Sequence, residues 1–404
     1  MKVLQINTVS GKGSTGRICV DIAKTLEPYG VETVIAYGYG NPVYKNSYRI
    51  GSWIENKLHN FYSRVFGLQG TGSILATKRF ISYLYKYQPD ILHLNNLHGN
   101  YINYPILFQY IIQNKIPVVW TMHDCWAYTG KCAHYVNVKC EKWKSGCNHC
   151  PNVHAYPPSI FLDKSTRGYN LKKELYSQLE NVVIVGISDW IKHEAEQSIL
   201  SHFTITRIYN WIDCGIFNPQ GKDISLMKKY GIDPHKFHVL GVCGRYSKLK
   251  GSESWKYLSE HLPDDCQVIL VGNMETGNEI LNVAHIPYVD SPSDLSKIYS
   301  LADVFCNLSV AESFGKTTAE ALACGTPVIV YNTTACPELV GEGCGYVCNL
   351  NAPQEVIEKA LEIRRNGKYI YSEKCVKFAQ DNFSKNNILQ FLEIYRKLTK
   401  RINK

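Results

Sequence analysis

Blocks of apolar and polar positions succeed one another along the first 210 residues. Short β-branched or apolar runs bounded by polar residues predict buried strands at Val3–Val9, Thr33–Tyr37, Ile91–Asn95, Val118–Met122, Val182–Ile187 and Thr204–Tyr209. Helical periodicity lies between them, as at Arg17–Glu27, which stops near Pro28-Tyr29-Gly30. Strand runs separated by helices predict βαβ units and a parallel sheet. The pattern restarts after Pro219, with strand runs at His238–Gly241, Gln267–Val271, Ala302–Leu308 and Thr326–Tyr331 and a helix at Thr317–Ala323. The segment Asn210–Gln220, with Gly215 and Pro219, reads as the linker. The tail Asn386–Lys404 is amphipathic and needs a surface to pack on.

The expected fold class is therefore α/β, with two Rossmann-like doubly wound domains facing across a cleft. The expected boundaries are 1–209, 210–385 and a C-terminal helix over 386–404 that packs back on the first domain. A chain of 404 residues is long enough for two such cores. Ligands of open α/β sheets sit at the carboxyl ends of the strands, so the chemistry is sought at the strand-to-helix turns.

Charge adds one asymmetry. Residues 1–200 hold 21 Lys and Arg against 13 Asp and Glu, a net of +8, and the remainder holds 23 against 22, a net of +1. A basic first half suggests an anionic partner, such as a membrane surface or a phosphate-bearing acceptor. No motif points to nucleic acid. The N-terminus Met1–Asn7 lacks the pattern of a signal peptide, and no apolar run reaches the ~20 residues of a membrane helix. The expected location is cytoplasmic, peripheral on the inner face of the plasma membrane. The 15 cysteines are then read as thiols and not as a disulfide framework.

The most informative turn runs Ser309-Val310-Ala311-Glu312-Ser313-Phe314-Gly315-Lys316-Thr317-Thr318-Ala319-Glu320 and continues to Gly325-Thr326-Pro327. A strand ends, a glycine turn follows, and a helix begins at Lys316, whose first N–H groups suit a diphosphate. Glu312 and Glu320 both lie toward that helix start, and carboxylates accept hydrogen bonds from vicinal hydroxyls. Gly241–Gly251 ends another strand with Arg245 and Lys250, a fork and a point charge for phosphate oxygens. Ser10–Arg17 is a glycine-rich turn in which Gly13 and Ser14 open a helix. His123 and Asp124 end a further strand, where a histidine can bond a hydroxyl or carry a proton near neutrality.

The pair of glutamates separated by seven residues, with Phe-Gly between and Ala-Leu-Ala-Cys-Gly-Thr-Pro-Val-Ile after, resembles the signature of the retaining family 4 glycosyltransferases of the GT-B fold. The resemblance covers nearly the whole chain and is sharp from Asn210 to Pro337. It implies transfer of a sugar, of hexosyltransferase type and metal-independent, from a nucleotide diphosphate sugar (UDP- or GDP-sugar) to a hydroxyl of a saccharide or lipid-linked saccharide. It implies a setting in cell-surface polysaccharide biosynthesis. On that reading Glu320 holds the ribose and Glu312 contacts the donor sugar. Arg245 and Lys250 hold the pyrophosphate, with Gly13, Ser14, Ser313, Phe314, Gly315 and Lys316 in the donor site and His123 facing the sugar. Asn210-Trp211-Ile212-Asp213 departs from the family's interdomain segment, in which glycine stands where Trp211 does here. Two other functions stay open: a sugar-nucleotide epimerase of the same architecture, or a non-catalytic nucleotide- or zinc-binding scaffold.

An insert over 125–150 stands outside that resemblance. Cys132, Cys140, Cys147 and Cys150 fall within nineteen positions, enough for a tetrahedral structural zinc site. No cofactor is expected for catalysis itself.

Overall fold

The computed structural model describes residues 1–275 and 280–402 of the chain, the side chains of 401 and 402 excepted. The chain divides into two units, Met1–Ile208 with Ile388–Lys404, and Tyr209–Asn387.

Unit 1 opens with β1 (Lys2–Val9), α1 (Gly13–Leu26), β2 (Glu32–Tyr39) and β3 (Ser47–Arg49). Next come α2 (Trp53–Phe66), α3 (Ile74–Tyr87), β4 (Ile91–Leu94), α4 (Tyr104–Asn114) and β5 (Val118–Met122). The cysteine-bearing insert leads into α5 (Ser165–Tyr176), followed by β6 (Val182–Gly186), α6 (Asp189–Glu196) and β7 (Thr204–Arg207). The seven strands are parallel, in the order β3-β2-β1-β4-β5-β6-β7. Val3, Leu4, Ile6, Ile91, Leu92, Leu94, Val118 and Val119 are fully buried, the near-continuous apolar reading of strands covered on both faces.

Unit 2 repeats the scheme with α7 (Ile224–Lys229), β8 (Phe237–Arg245), α8 (Ser252–His261), β9 (Cys266–Asn273), β10 (Val283–Ile286) and α9 (Pro292–Leu301). It continues with β11 (Val304–Asn307), α10 (Lys316–Ala323), β12 (Val328–Tyr331), β13 (Gly345–Cys348), α11 (Pro353–Asn366) and α12 (Tyr369–Phe383). Its six-stranded parallel sheet has the order β10-β9-β8-β11-β12-β13. Both sheets are doubly wound. The strand order reverses between β1 and β4 in unit 1 and between β8 and β11 in unit 2, and ligands collect at such reversals.

The last helix, α13 (Leu389–Ile402), belongs to unit 1. Its buried Phe391, Leu392, Tyr395 and Leu398 supply the surface that an amphipathic helix must cover. Tyr395 also meets His93 Nδ1 of β4 at 2.6 Å, and Thr121 Oγ1 of β5 lies 2.8 Å from His93 Nε2. Among the described residues no helix is long and apolar enough to cross a membrane.

Three strands, β3, β10 and β13, have no counterpart in the sequence pattern. All three are edge strands of three or four residues. A short edge strand need not carry a continuous apolar run, although β7, the fourth edge strand, follows the predicted run at Thr204–Tyr209.

Candidate active site

In unit 2 the two turns at the reversal point are laced together. Gly251 adopts φ +72°, and a Cβ there would stand 2.2 Å from the Leu308 carbonyl oxygen. Only glycine combines that backbone with that approach. The Val310 N–H donates to the Leu249 carbonyl at 2.9 Å, fixing the turn after β8 against the turn after β11. Lys250 and Glu312, 62 positions apart, meet as a result: Nζ and Oε1 are 2.5 Å apart. Ser309 Oγ donates to the same carboxylate oxygen at 2.8 Å, and the Glu312 N–H donates to Thr334 Oγ1 at 2.9 Å. Burial by itself would depress the Lys250 ammonium, but the Glu312 carboxylate outweighs it and raises the pKa above the ordinary lysine value. Arg245 ends β8 exposed, and among the described residues no carboxylate pairs with it.

Gly315 precedes α10 in the left-handed region, φ +93°, which lets the chain turn from β11 into the helix. The Thr318 N–H returns to the Gly315 carbonyl at 2.9 Å, while the earlier N–H groups of a helix have no carbonyl of that helix to meet. Lys316 stands at this start with Ser313 just before it, both partly exposed. The Phe314 side chain turns inward, with ring centroids 5.5 Å from Phe383 and 6.0 Å from Tyr209. Only its backbone is left for a ligand. Glu320, one turn on, is largely buried and accepts from Tyr299 OH at 3.0 Å, with Lys316 Nζ 4.0 Å away. Two carboxylates, three cations and a helix N-terminus thus share one end of the sheet. That set suits a diphosphate carrying hydroxyl-rich groups on both sides.

A surface cavity of about 950 Å³ also lies on unit 2, lined by Lys222, Asp303, Lys368 and Tyr369. Asp303 immediately precedes β11, so this cavity is at the amino end of that strand, away from the turns that carry the charges. Size alone does not make it the site.

Unit 1 presents its own reversal point. After β1, Gly13 (φ +62°) and Ser14 open α1 with both residues exposed, and an added Cβ at Gly13 meets nothing within 4 Å. Lys12 at the N-cap position makes no side-chain cap. After β5, His123 Nε2 lies 2.9 Å from Asn95 Oδ1, at the end of β4. Burial lowers His123 to about 4, so it is neutral at pH 7. A neutral ring can bond a hydroxyl.

Asp124 accepts from the Trp126 N–H at 2.9 Å and meets His98 Nε2 at 2.7 Å. Burial pushes its carboxyl up, but His98 outweighs that and holds it at about 2. His98 in turn lies 3.2 Å from Tyr156 OH. Asn95 and His98 were not singled out in the sequence, although both follow a strand and the strand-end rule applied to His123 reaches them too. Ser309, Thr334 and Tyr299 carried no separate signal. Their roles come from the fold.

The insert gathers its four thiols. Cys132, Cys140, Cys147 and Cys150 all line one cavity of about 10 Å³, beside Trp143 and Lys131. The Cys132 and Cys150 thiols hydrogen-bond, and the Gly130 N–H donates to Cys147 Sγ at 3.2 Å. Lys131 and Lys172 are buried next to this cluster, with hydrogen bonds to backbone carbonyls. Among the described residues no three His, Cys, Asp or Glu side chains already stand in metal-holding geometry.

Residues 227–382 match the family described as glycosyl transferases group 1. That match spans β8 to α12 and includes Arg245, Lys250, Glu312 and Glu320. Over 196 residues the chain is 26% identical to the putative colanic acid biosynthesis glycosyl transferase WcaC of Escherichia coli, covering 44% of this chain and 46% of that protein. Over 218 residues it is 32% identical to the D-inositol 3-phosphate glycosyltransferase of Pseudarthrobacter chlorophenolicus, covering 47% and 49%. The chain thus spans about half the length of these curated relatives. Solved structures align over nearly all of both chains. Sucrose-phosphate synthase of Thermosynechococcus elongatus gives a TM-score of 0.72 at 14% identity, covering 99% of each chain. HepE of Anabaena, solved with UDP-glucose, gives 0.65 at 16%, covering 100% of this chain and 99% of that one. The fold is that of the GT-B glycosyltransferases.

Proposed function

We propose that this protein transfers a sugar from a nucleotide diphosphate sugar to an acceptor hydroxyl, with retention of configuration and without a catalytic metal. The observation that carries the reading is the Lys250–Glu312 pair at the strand ends beside the start of α10. In the reaction the bond between the sugar's anomeric carbon and the phosphate oxygen breaks. The acceptor oxygen bonds that carbon on the same face, and its proton passes to the departing phosphate oxygen. Arg245, Lys250 and the first N–H groups of α10 stabilise the charge that builds on the diphosphate. Glu320 takes the ribose hydroxyls and Glu312 takes hydroxyls of the sugar.

Colanic acid biosynthesis in one relative's name supports a surface polysaccharide pathway, with a saccharide or lipid-linked saccharide as acceptor. UDP-glucose in the HepE structure favours a UDP-sugar as donor. A thermal-shift panel of UDP, GDP, ADP and CMP without added metal tests this. UDP at 100 times its Kd is expected to stabilise by about 2.7 kcal/mol, and Arg245→Ala to abolish that shift. No shift with any nucleoside diphosphate overturns the reading.

We also propose that the insert holds a structural zinc ion. Four thiolates around one ion carry a net charge of about −2, and the Lys131 and Lys172 side chains lie buried beside them. About one zinc per chain is expected by elemental analysis of protein purified without chelator, falling to background in Cys147→Ser. Zinc-free protein whose four thiols react freely in the folded state overturns the proposal.

A further inference from the structure

Helix α2 is turned inside out. The residues that it buries in unit 1 are Asn56, His59 and Ser63, all polar. Each is fixed by hydrogen bonds. Asn56 Nδ2 donates to the Gly38 carbonyl at 2.7 Å, and Ser63 Oγ donates to Asn100 Oδ1 at 2.6 Å. The Gly72 N–H donates to His59 Nε2 at 3.0 Å, with Ser73 Oγ 2.8 Å from His59 Nδ1. The opposite face, successive along the helix at Trp53, Ile54, Leu58, Phe61 and Tyr62, is exposed, with Phe61 at 66% and Leu58 at 63%. A water-facing helix has the reverse pattern.

Two neighbouring segments extend the same surface. The Ile160 N–H donates to the Arg64 carbonyl at 2.8 Å, which ties the tip Ile160–Leu162 to the end of α2. Phe161 at that tip is 74% exposed. The contacts of His59 with Gly72 and Ser73 bring the start of α3 alongside, where Leu75 is 68% exposed. Lys57, Arg64 and Lys78 stand exposed among these apolar groups, and Lys57 Nζ lies over the Trp53 ring at 5.3 Å.

We propose that α2, the tip Ile160–Leu162 and the start of α3 form a docking surface for an anionic lipid bilayer. The helix would lie in the interface with its apolar side chains in the acyl boundary and its cations among the headgroups. The choice of a bilayer over a protein partner rests on three features. The apolar groups stand on a helix surface and a loop tip rather than lining a groove. Trp53 and Tyr62 are side chains suited to the headgroup boundary. The charge among them is net basic, Lys57, Arg64, Lys78 and Arg79 against Glu55, which Arg79 holds, in keeping with the +8 of residues 1–200.

The experiment is flotation of the full chain with vesicles of neutral phosphatidylcholine, and with vesicles that also contain phosphatidylglycerol. Binding to the anionic vesicles is expected, weakened by high salt, and about tenfold weaker for Leu58→Ser/Phe61→Ser. Tyr369→Ser, an exposed aromatic of unit 2, serves as the control and should bind as the parent does. Brominated lipids should quench Trp53 fluorescence, and Trp53→Phe should lose that quenched component while still binding. Two outcomes overturn the proposal: no flotation with anionic vesicles, or flotation that the double substitution leaves unchanged. A chain that is dimeric by light scattering and becomes monomeric in the double variant, with no vesicle binding in either, assigns the surface to a second copy instead.

Discussion

Lys250→Ala is expected to lower kcat/KM for the donor about a thousandfold while leaving the melting temperature nearly unchanged. The ion pair with Glu312 is partly solvent-exposed, 35% and 19% for the two side chains, so its loss costs little stability. Its catalytic weight is different. In the ligand-free chain Lys250 and Ser309 both contact one oxygen of Glu312. A donor diphosphate would draw the ammonium to phosphate and free the carboxylate for sugar hydroxyls. Glu312→Gln keeps the shape but removes the charge, and should cost a comparable factor. Because the two side chains act as one unit, Lys250→Ala/Glu312→Gln should be little worse than either single change. Steady-state kinetics with the donor identified by thermal shift measures all three. A single substitution with unchanged kcat/KM would remove the pair from the mechanism.

Unit 1 should lose stability steeply as pH falls from 7 to 5. Three of its histidines have pKa values depressed by desolvation: His59 to about 4, His93 to about 3 and His123 to about 4. An unfolded histidine titrates near 6.5, so between that value and the folded values the unfolded chain binds protons that the folded chain refuses. Stability therefore rises with pH across this window. It is fully present above about 6.5 and is lost on acidification. At pH 5 each group has given up about 2 kcal/mol, and the three together about 6 kcal/mol, from a stability commonly of 5–15 kcal/mol. Urea unfolding at pH 7 and pH 5, followed by tryptophan fluorescence, should show a large fall in the midpoint of unit 1. His93→Gln should remove about a third of that pH dependence, although it also loses part of the Tyr395 and Thr121 contacts. An equal midpoint at the two pH values would refute the assignment.

The sequence by itself determined the class of the fold and the identity of the charges. Interior strands of a doubly wound sheet are apolar on both faces, so runs such as Val118–Met122 and Val182–Ile187 are legible without coordinates. The turns that follow them are legible for the same reason, because glycine and charge interrupt an apolar pattern there. Arg245, Lys250 and Glu312 stand in or beside such turns, and Glu320 lies in the helix that follows one. Tertiary structure decided what the one-dimensional pattern does not encode. Strands β3, β10 and β13 form because an existing edge offers hydrogen bonds, not because their own residues demand it. Lys250 finds Glu312 because Gly251 permits a backbone approach between two turns that are distant in the chain. Desolvation by the residues packed around His123 lowers its pKa, and packing is a property of the fold. The periodicity of α2 marks a helix with one apolar face, yet periodicity carries no information about which face turns inward. Hydrogen bonds from Asn56, His59 and Ser63 settled that, and they leave Trp53, Ile54, Leu58 and Phe61 on the outside.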